Sequence, residues 1–463
     1  MFVRTVETRR GGKTHRYLRV VENYRDNGKV KQRVLWNLGN LDKIRQKLPG
    51  LTRSLSSYSG EELVALKRLR TESVKEYGNV LLLRSIWEKI GAEEILGGGK
   101  TAERMRPYFM ALVFYHLLNP GGTLPLAEWL KRVYLPELEG SRGSGGARLN
   151  IKRVLKLLRE LGGDVRRDGR LNVMRKVFRK RTAPFCYLVR LRMNVSGTRR
   201  GQRGQRETLL AIFSVGGEPR AYCVCEGKSP LALVKDMIAA DSVSGRCKTT
   251  LVTDRKTAGD AVTNLLNRES IPYVVFVDRL SKKGVGRPVY KSRGGYVARR
   301  VKTGGRNGPK TYVFFKKSGR SPKKEQAEFA FKTNVRGRTV LVKAVKTCRE
   351  RYNLQGFFGN VSAPAGLLSR EEYRRGYVPV CMTAFLLAKA LEKGLSRTRA
   401  GRGLTPPMLL DSLKEIKLVT NEVAGRRLNH VTKTSRHTGE LLRSFGVKSP
   451  RASVRLSGDS VTP

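Results

Sequence analysis

The sequence predicts a mixed α/β (α+β) protein, and three observations predict it. Three strand-like segments, 185–193, 209–215 and 220–225, follow one another in the middle of the chain. The pattern then alternates, with a helix at 231–240, an apolar strand at 249–253, a helix at 261–267 and a strand at 271–277. Long stretches on either side carry apolar residues at helical spacing, so helices flank the strands.

Segments 2–8, 14–24 and 30–38 are strand-like, and Asp26-Asn27-Gly28 is a strong hairpin turn. Val30, Val34 and Leu38 fall on one face, with Lys29, Lys31 and Arg33 on the other. This small basic β-unit, residues 1–45, is either a DNA-contact module or a cap on the next domain. A helical region at 60–163, expected to bind DNA ends, follows. Val80, Leu83, Trp87 and Ile90 recur at helical spacing, and a second helix at 104–118 stops at Asn119-Pro120-Gly121-Gly122. A short helix at 124–134 carries Trp129, and 141–146 is a Gly/Ser linker. Ile151, Val154, Leu155, Leu158 and Leu161 make one stripe behind Asn150, a natural N-cap. Such stripes are core, and Trp87 and Trp129 are packing residues.

Residues 180–280 read β-β-β-α-β-α-β, with Gly216-Gly217 joining the second strand to the third. That is the element order of an RNase H-like core. A basic, Gly-rich stretch with strand fragments such as 311–315 interrupts it at 281–330. The core resumes at 331–395 with helices at 339–358 and 378–391. Residues 396–463 are a basic, Ser/Thr-rich tail with a helical segment at 406–418 and a disordered last dozen.

Charge names the partner. The chain carries 94 Lys+Arg against 38 Asp+Glu, a formal net charge of +56. Such a protein repels itself unless a polyanion neutralises it, and lysine and arginine on phosphates gain affinity by releasing counterions. The excess is localised: 175–206 holds eleven basic residues and 282–324 fifteen, with no acidic residue in either. Other classes are excluded. Six cysteines form no disulfide framework in 463 residues, and Cys223-Val224-Cys225 has the wrong spacing for a CxxC site. Four scattered histidines argue against a structural zinc. The start Met1-Phe2-Val3-Arg4 leads straight into a strand pattern without a signal peptide. The best apolar run, 378–391, contains Lys389 and is too short for a bilayer. These features place the chain in the cytoplasm, associated with nucleoid DNA. No RNA-recognition motif or aromatic stacking signature supports an RNA-binding alternative.

Nuclease-type phosphoryl transfer uses clustered carboxylates holding two divalent metals about 3.5–4 Å apart. Leu251-Val252-Thr253-Asp254 puts one carboxylate just past an apolar strand, a usual place for functional groups in α/β sheets. The structural alternative is that Asp254 merely starts the next loop.

Several blocks resemble DDE transposases of bacterial and archaeal insertion sequences, in the IS-four-like superfamily. They are MFVRTVETRRGGKTHRYLRVVENYRDNGKVKQRVLWNLGNLD at the start, Leu118-Asn119-Pro120 followed by Leu126-Ala127-Glu128-Trp129-Leu130, LVTDRKTAGDAVTNLL at 251–266, and FKTNVRG at 331–337. They span most of the chain in the family's order. The resemblance implies that Asp254 is the second catalytic carboxylate and that 281–330 is the family's β-rich insertion. The third carboxylate of the family lies in a Tyr-x2-Arg-x3-Glu-x6-Lys pattern. Here Arg351 matches, while Cys348, Gln355 and Ser362 stand where Tyr, Glu and Lys would be. The family's first Asp aligns with Arg190, on a strand segment, 185–193, with no acidic residue. Arginine cannot bind a divalent metal, and glutamine offers only a neutral oxygen. Glu350, five residues before Gln355, lies about 140° away around a helix. Asp236, Asp241, Asp260 and Asp278 lie on neighbouring elements, and nothing in the sequence aims them at the site.

What the resemblance implies is DNA transposition: binding of element ends and target double-stranded DNA, with a homodimer pairing two ends. If active, the protein cuts the phosphodiester at the element's end, and the freed 3′-hydroxyl attacks the target. Mg2+ or Mn2+ is then bound by Asp254, and Arg351 holds a DNA phosphate. The replaced residues point instead to a decayed relative that acts only by binding DNA.

Overall fold

The computed structural model describes residues 1–59, 69–96, 99–139, 150–168, 172–173, 185–195, 204–225, 229–235, 249–277, 285–292, 295–301, 309–317, 325–335, 337, 339–359, 361–362, 364, 367–398, 400–423, 426–448, 450 and 454–456. The chain divides into two compact units, Met1–Glu72 with Thr420–Leu428, and Ser73–Val419 with Asn429–Pro463.

The first unit is built on a three-stranded antiparallel sheet of β1 (Phe2–Arg10), β2 (Lys13–Asp26) and β3 (Lys29–Asn40), in that order. Two-residue turns join the strands, and both need positive φ: Gly11-Gly12 (57° and 75°) and Asn27-Gly28 (51° and 76°). Val30 and Val34 share a face as expected, but Leu38 does not join them. Irregularities in β3 between the partners of Leu18/Arg19 and of Val20/Val21 break the alternation beyond Val34. Helix α1 (Leu41–Ile44) is capped by the Asn40 side chain, which accepts from the Asp42 N–H, and α2 (Leu48–Ser59) follows.

Strand β4 (Leu69–Glu76) carries the chain from the first unit into the second. There α3 (Gly78–Lys89), α4 (Lys100–Leu118), α5 (Leu126–Arg132) and α6 (Ile151–Asp168) supply the helical layer. Trp87 packs edge-on to Phe109 and Phe114, and Trp129 to Tyr115. The fold thus uses both tryptophans as core. Helix α4 stops where the Asn119 side chain donates to the Leu124 carbonyl at 3.0 Å and accepts from the Thr123 hydroxyl at 2.8 Å.

The large sheet follows. It contains β5 (Asn172–Val173), β6 (Phe185–Val195), β7 (Gly204–Val215), β8 (Glu218–Cys225), a helical turn α7 at 230–235, β9 (Thr250–Asp254), α8 (Arg255–Arg268) and β10 (Tyr273–Val277). Strands β11 (Val285–Lys291), β12 (Tyr296–Val301), β13 (Lys310–Lys317) and β14 (Glu325–Thr333) complete its far side, and β15 (Val361–Ser362) pairs with β6. The order is β11-β12-β13-β14-β10-β9-β6-β7-β8-β5. Strands β6, β7 and β8 are antiparallel, while β9 runs parallel to both β6 and β10. The basic stretch therefore extends the sheet rather than only interrupting it, because β14 pairs antiparallel with β10. Phe314 and Phe329 stack there at 4.7 Å between ring centres.

Helix α9 (Thr339–Phe358) has the bounds the periodicity predicts, and α10 (Glu371–Arg397) is longer than its predicted 378–391. Helix α10 is buried from Tyr377 to Leu387 and holds Pro379 within it. Helices α6 and α10 approach so closely that a Cβ on Gly376 would collide with the Leu158 carbonyl, and one on Gly162 with that of Glu372. The segment expected as a basic tail holds α11 (Pro406–Ser412), β16 (Lys417–Val423), β17 (Arg426–Val431), α12 (Arg436–Ser444) and β18 (Val454–Leu456). Most of its last dozen residues, expected to be disordered, lie outside the described residues. Among the described residues no helix is long and apolar enough to cross a membrane.

Candidate functional site

Strand β9 is apolar and buried through Leu251, Val252 and Thr253, and it delivers Asp254 at its carboxyl end. Asp254 is extended (φ −112°, ψ 166°) and caps α8, its Oδ1 accepting the Thr257 backbone N–H at 2.7 Å. It is more than a loop start, because the other oxygen is also used. Oδ2 accepts from Arg351 Nη2 at 2.9 Å, with the two side chains only 14% and 11% exposed. Burial alone would raise this carboxyl's pKa. The hydrogen bonds from Arg351 and Thr257 outweigh it and hold the group below its ordinary value.

Arg351 is buried on α9. Its guanidinium carbon lies 5.1 Å from the centre of the Phe276 ring on β10 and 5.4 Å from that of Tyr352. The ring and the carboxylate together fix the guanidinium plane.

Arg190, on β6, reaches the first turn of α8, which Asp254 caps. Its Nε donates to Thr257 Oγ1 at 3.2 Å, Nη2 to the Lys256 carbonyl at 2.8 Å and Nη1 to Glu207 Oε2 at 3.0 Å. Glu207, on β7, also accepts from Arg192 Nε at 2.7 Å. Arg190's hydrogen bond leads in holding the Glu207 carboxyl below its usual range. Thr257 thus links the two halves into one chain of contacts: Arg351, Asp254, Thr257, Arg190, Glu207.

The remaining sequence candidates lie elsewhere or play other parts. Gln355 is half-buried one turn beyond Arg351, and among the described residues no hydrogen bond joins it to Asp254. Cys348 is buried, which pushes its thiol up to about 12. Glu350 accepts from the Tyr187 hydroxyl at 2.5 Å and lies 3.8 Å from Lys346, so it serves β6 packing rather than Asp254. Asp260 is exposed on α8. Asp236, Asp241 and Asp278 lie outside the described residues. Sequence reasoning missed Thr257 and Glu207. Thr257 carries a signal, since a residue three past a capping Asp supplies the capped N–H.

Among the described residues the donor set around Asp254 does not fit a divalent metal pair. Among the described residues no group of three His, Cys, Asp or Glu side chains could hold a metal ion. Both Asp254 oxygens are engaged, and the flanking groups are two cations that would repel another.

Residues 3–67 match the family model of the IS1634 family transposase N-terminal domain. That N-terminal segment is transposase-like. No curated protein matches it. Among solved structures, it is similar to a chain of the piggyBac transposase synaptic complex with hairpin DNA. That likeness has a TM-score of 0.32 at 11% identity, covering 73% of this chain and 80% of the other.

Proposed function

We propose that this protein acts in DNA transposition by binding the ends of an insertion element. The observation that carries this is the match of residues 3–67 to a transposase N-terminal domain. A net charge of +56 supports a DNA partner. We read the centre of the second unit as an RNase H-like core. Support comes from three antiparallel strands, β8-β7-β6, continued by β9 and β10 parallel to β6. Two copies holding two ends in the cytoplasm belong to the same proposal.

In this reading Asp254 and Arg351 mark the centre of the core. The centre itself supports a second statement, that the protein binds ends without cutting them. The resemblance puts Arg190 where the family carries its first Asp, and its guanidinium is bonded on three sides to Thr257, Lys256 and Glu207.

The test is cleavage and strand transfer on DNA carrying the flanks of the protein's own gene, with Mg2+ or Mn2+. The Asp254→Ala variant and an Arg190→Asp/Gln355→Glu double variant run beside the native protein. End binding without cleavage is the expected result. Cleavage lost in Asp254→Ala would overturn the non-cutting reading and leave the transposition reading standing. Failure to prefer the element's ends over random DNA would overturn the transposition reading.

A further inference from the structure

The register of the N-terminal sheet sorts its charges by face. Residues directly opposite on neighbouring strands share a face, and faces alternate along each strand. Phe2 opposes Val21, Arg4 opposes Arg19 and Arg10 opposes Lys13, while Asn23 opposes Gln32 and Arg25 opposes Val30. One face therefore carries Arg4, Arg10, Lys13, Arg19 and Arg25 with Asn23 and Gln32. The strands contain three acidic residues, Glu7, Glu22 and Asp26, and all three fall on the opposite face.

The side chains agree with this assignment. On the acid-free face Arg4 Nη1 donates to Gln32 Oε1 at 2.8 Å, and Gln32 Nε2 donates to Asn23 Oδ1 at 2.8 Å, across all three strands. On the mixed face Arg33 pairs with Glu22 at 2.6 Å and Lys31 with Asp26 at 2.7 Å. The cations of the mixed face are partly neutralised in place. Among the described residues Arg10, Lys13, Arg19 and Arg25 have no ion pair, and all but the half-buried Arg19 are exposed.

We infer that the acid-free face of this sheet docks on double-stranded DNA and reads base edges. The inference rests on the DNA-binding reading above and goes beyond it in naming the surface and the mode. The unpaired cations span β1 and β2 and meet phosphates. Between them the Arg4–Gln32–Asn23 ladder holds amides in a fixed orientation, the side-chain type that pairs bidentately with adenine in the major groove. Strands about 4.8 Å apart make the three-stranded sheet about 10 Å across its backbones, against a major groove about 12 Å wide. The deep, narrow major groove of A-form RNA does not admit it.

The experiment uses the full chain and measures affinity for a selected duplex, a scrambled duplex and a duplex RNA across a salt series. Arg4→Gln/Arg19→Gln/Arg25→Gln removes three charges from the acid-free face. Arg9→Gln/Lys29→Gln/Lys31→Gln removes three from the other. The first set is expected to erase the preference for the selected duplex and to lower the slope of log affinity against log salt by about 3. The second set is expected to leave the preference intact. Equal losses from both sets, or tighter binding to the RNA, would overturn the inference. Should the first set fail to fold, Gln32→Glu puts one carboxylate on that face with little change of shape. A Gln32→Glu protein with unchanged preference would equally overturn it. If the native chain binds no DNA, it is the proposed function that falls.

Discussion

Asp254 and Arg351 meet at 2.9 Å with the two side chains only 14% and 11% exposed. The pair joins the end of a buried parallel strand to the middle of a long helix, elements 97 residues apart. A buried pair adds little net stability when both partners are present, yet removing one strands the other. Arg351→Ala is therefore expected to destabilise the second unit by about 3 kcal/mol, measured by urea unfolding. Asp254→Asn should cost less than Asp254→Ala, because asparagine still caps α8. Equal costs for the two Asp254 variants would show that the cap contributes nothing.

The same pair sets an acid limb of stability. The Asp254 carboxyl titrates below its ordinary value in the folded chain. Its contribution is fully present above the unfolded value, about 3.9, and is lost as pH falls through the lower folded value. The stability difference between the native protein and Asp254→Asn is expected to be constant from pH 7 to pH 5 and to shrink below pH 4. A difference that grew on acidification would contradict the sign of the shift.

The Arg190 network predicts indifference to divalent metal. A ligand that binds only the folded state raises the melting temperature in proportion to RT ln(1 + [L]/Kd). Millimolar Mg2+ or Mn2+ is expected to leave the native protein's melting temperature unchanged. The Arg190→Asp/Gln355→Glu variant offers Asp254 two further carboxylates and is expected to gain from Mn2+. Arg190→Ala alone should cost under about 1 kcal/mol, since its partner Glu207 is 41% exposed and solvent screens the pair.

How far these features were legible in the sequence depended on the range of the forces that set them. The strand before Asp254 and the full span of α9 could be read directly, because each is fixed by its own apolar pattern. The Arg190–Glu207 contact could not. It depends on the register of β6 on β7, where Arg192 opposes Glu207, and no local pattern fixes the alignment of two strands. Strands β16 and β17 were hidden for a related reason. Residues such as Asn421, Glu422, Asn429 and His430 read as a polar tail, and only pairing makes strands of them. The length of α10 was obscured by Glu371, Glu372, Arg374 and Arg375 before its apolar run, and by Pro379, which a local reading takes as a break.

Two adjacent glycines of α6 are expected to respond in opposite directions. Gly162 faces α10, where an added Cβ meets the Glu372 carbonyl, while a Cβ on Gly163 meets nothing within 4 Å. Backbone cannot rotate away as a side chain can, so Gly162→Ala must push the two helices apart, at about 2–3 kcal/mol. Gly163→Ala gains the helix propensity of alanine and is expected to be neutral or stabilising by up to about 1 kcal/mol. Thermal unfolding of the two variants measures the contrast directly, with chemistry, helix and neighbours held nearly constant. Similar melting temperatures for the pair would mean that α6 and α10 are not in backbone contact. A drop confined to Gly162→Ala would fix α10, and with it the helical layer beneath the Asp254 sheet, in the arrangement described.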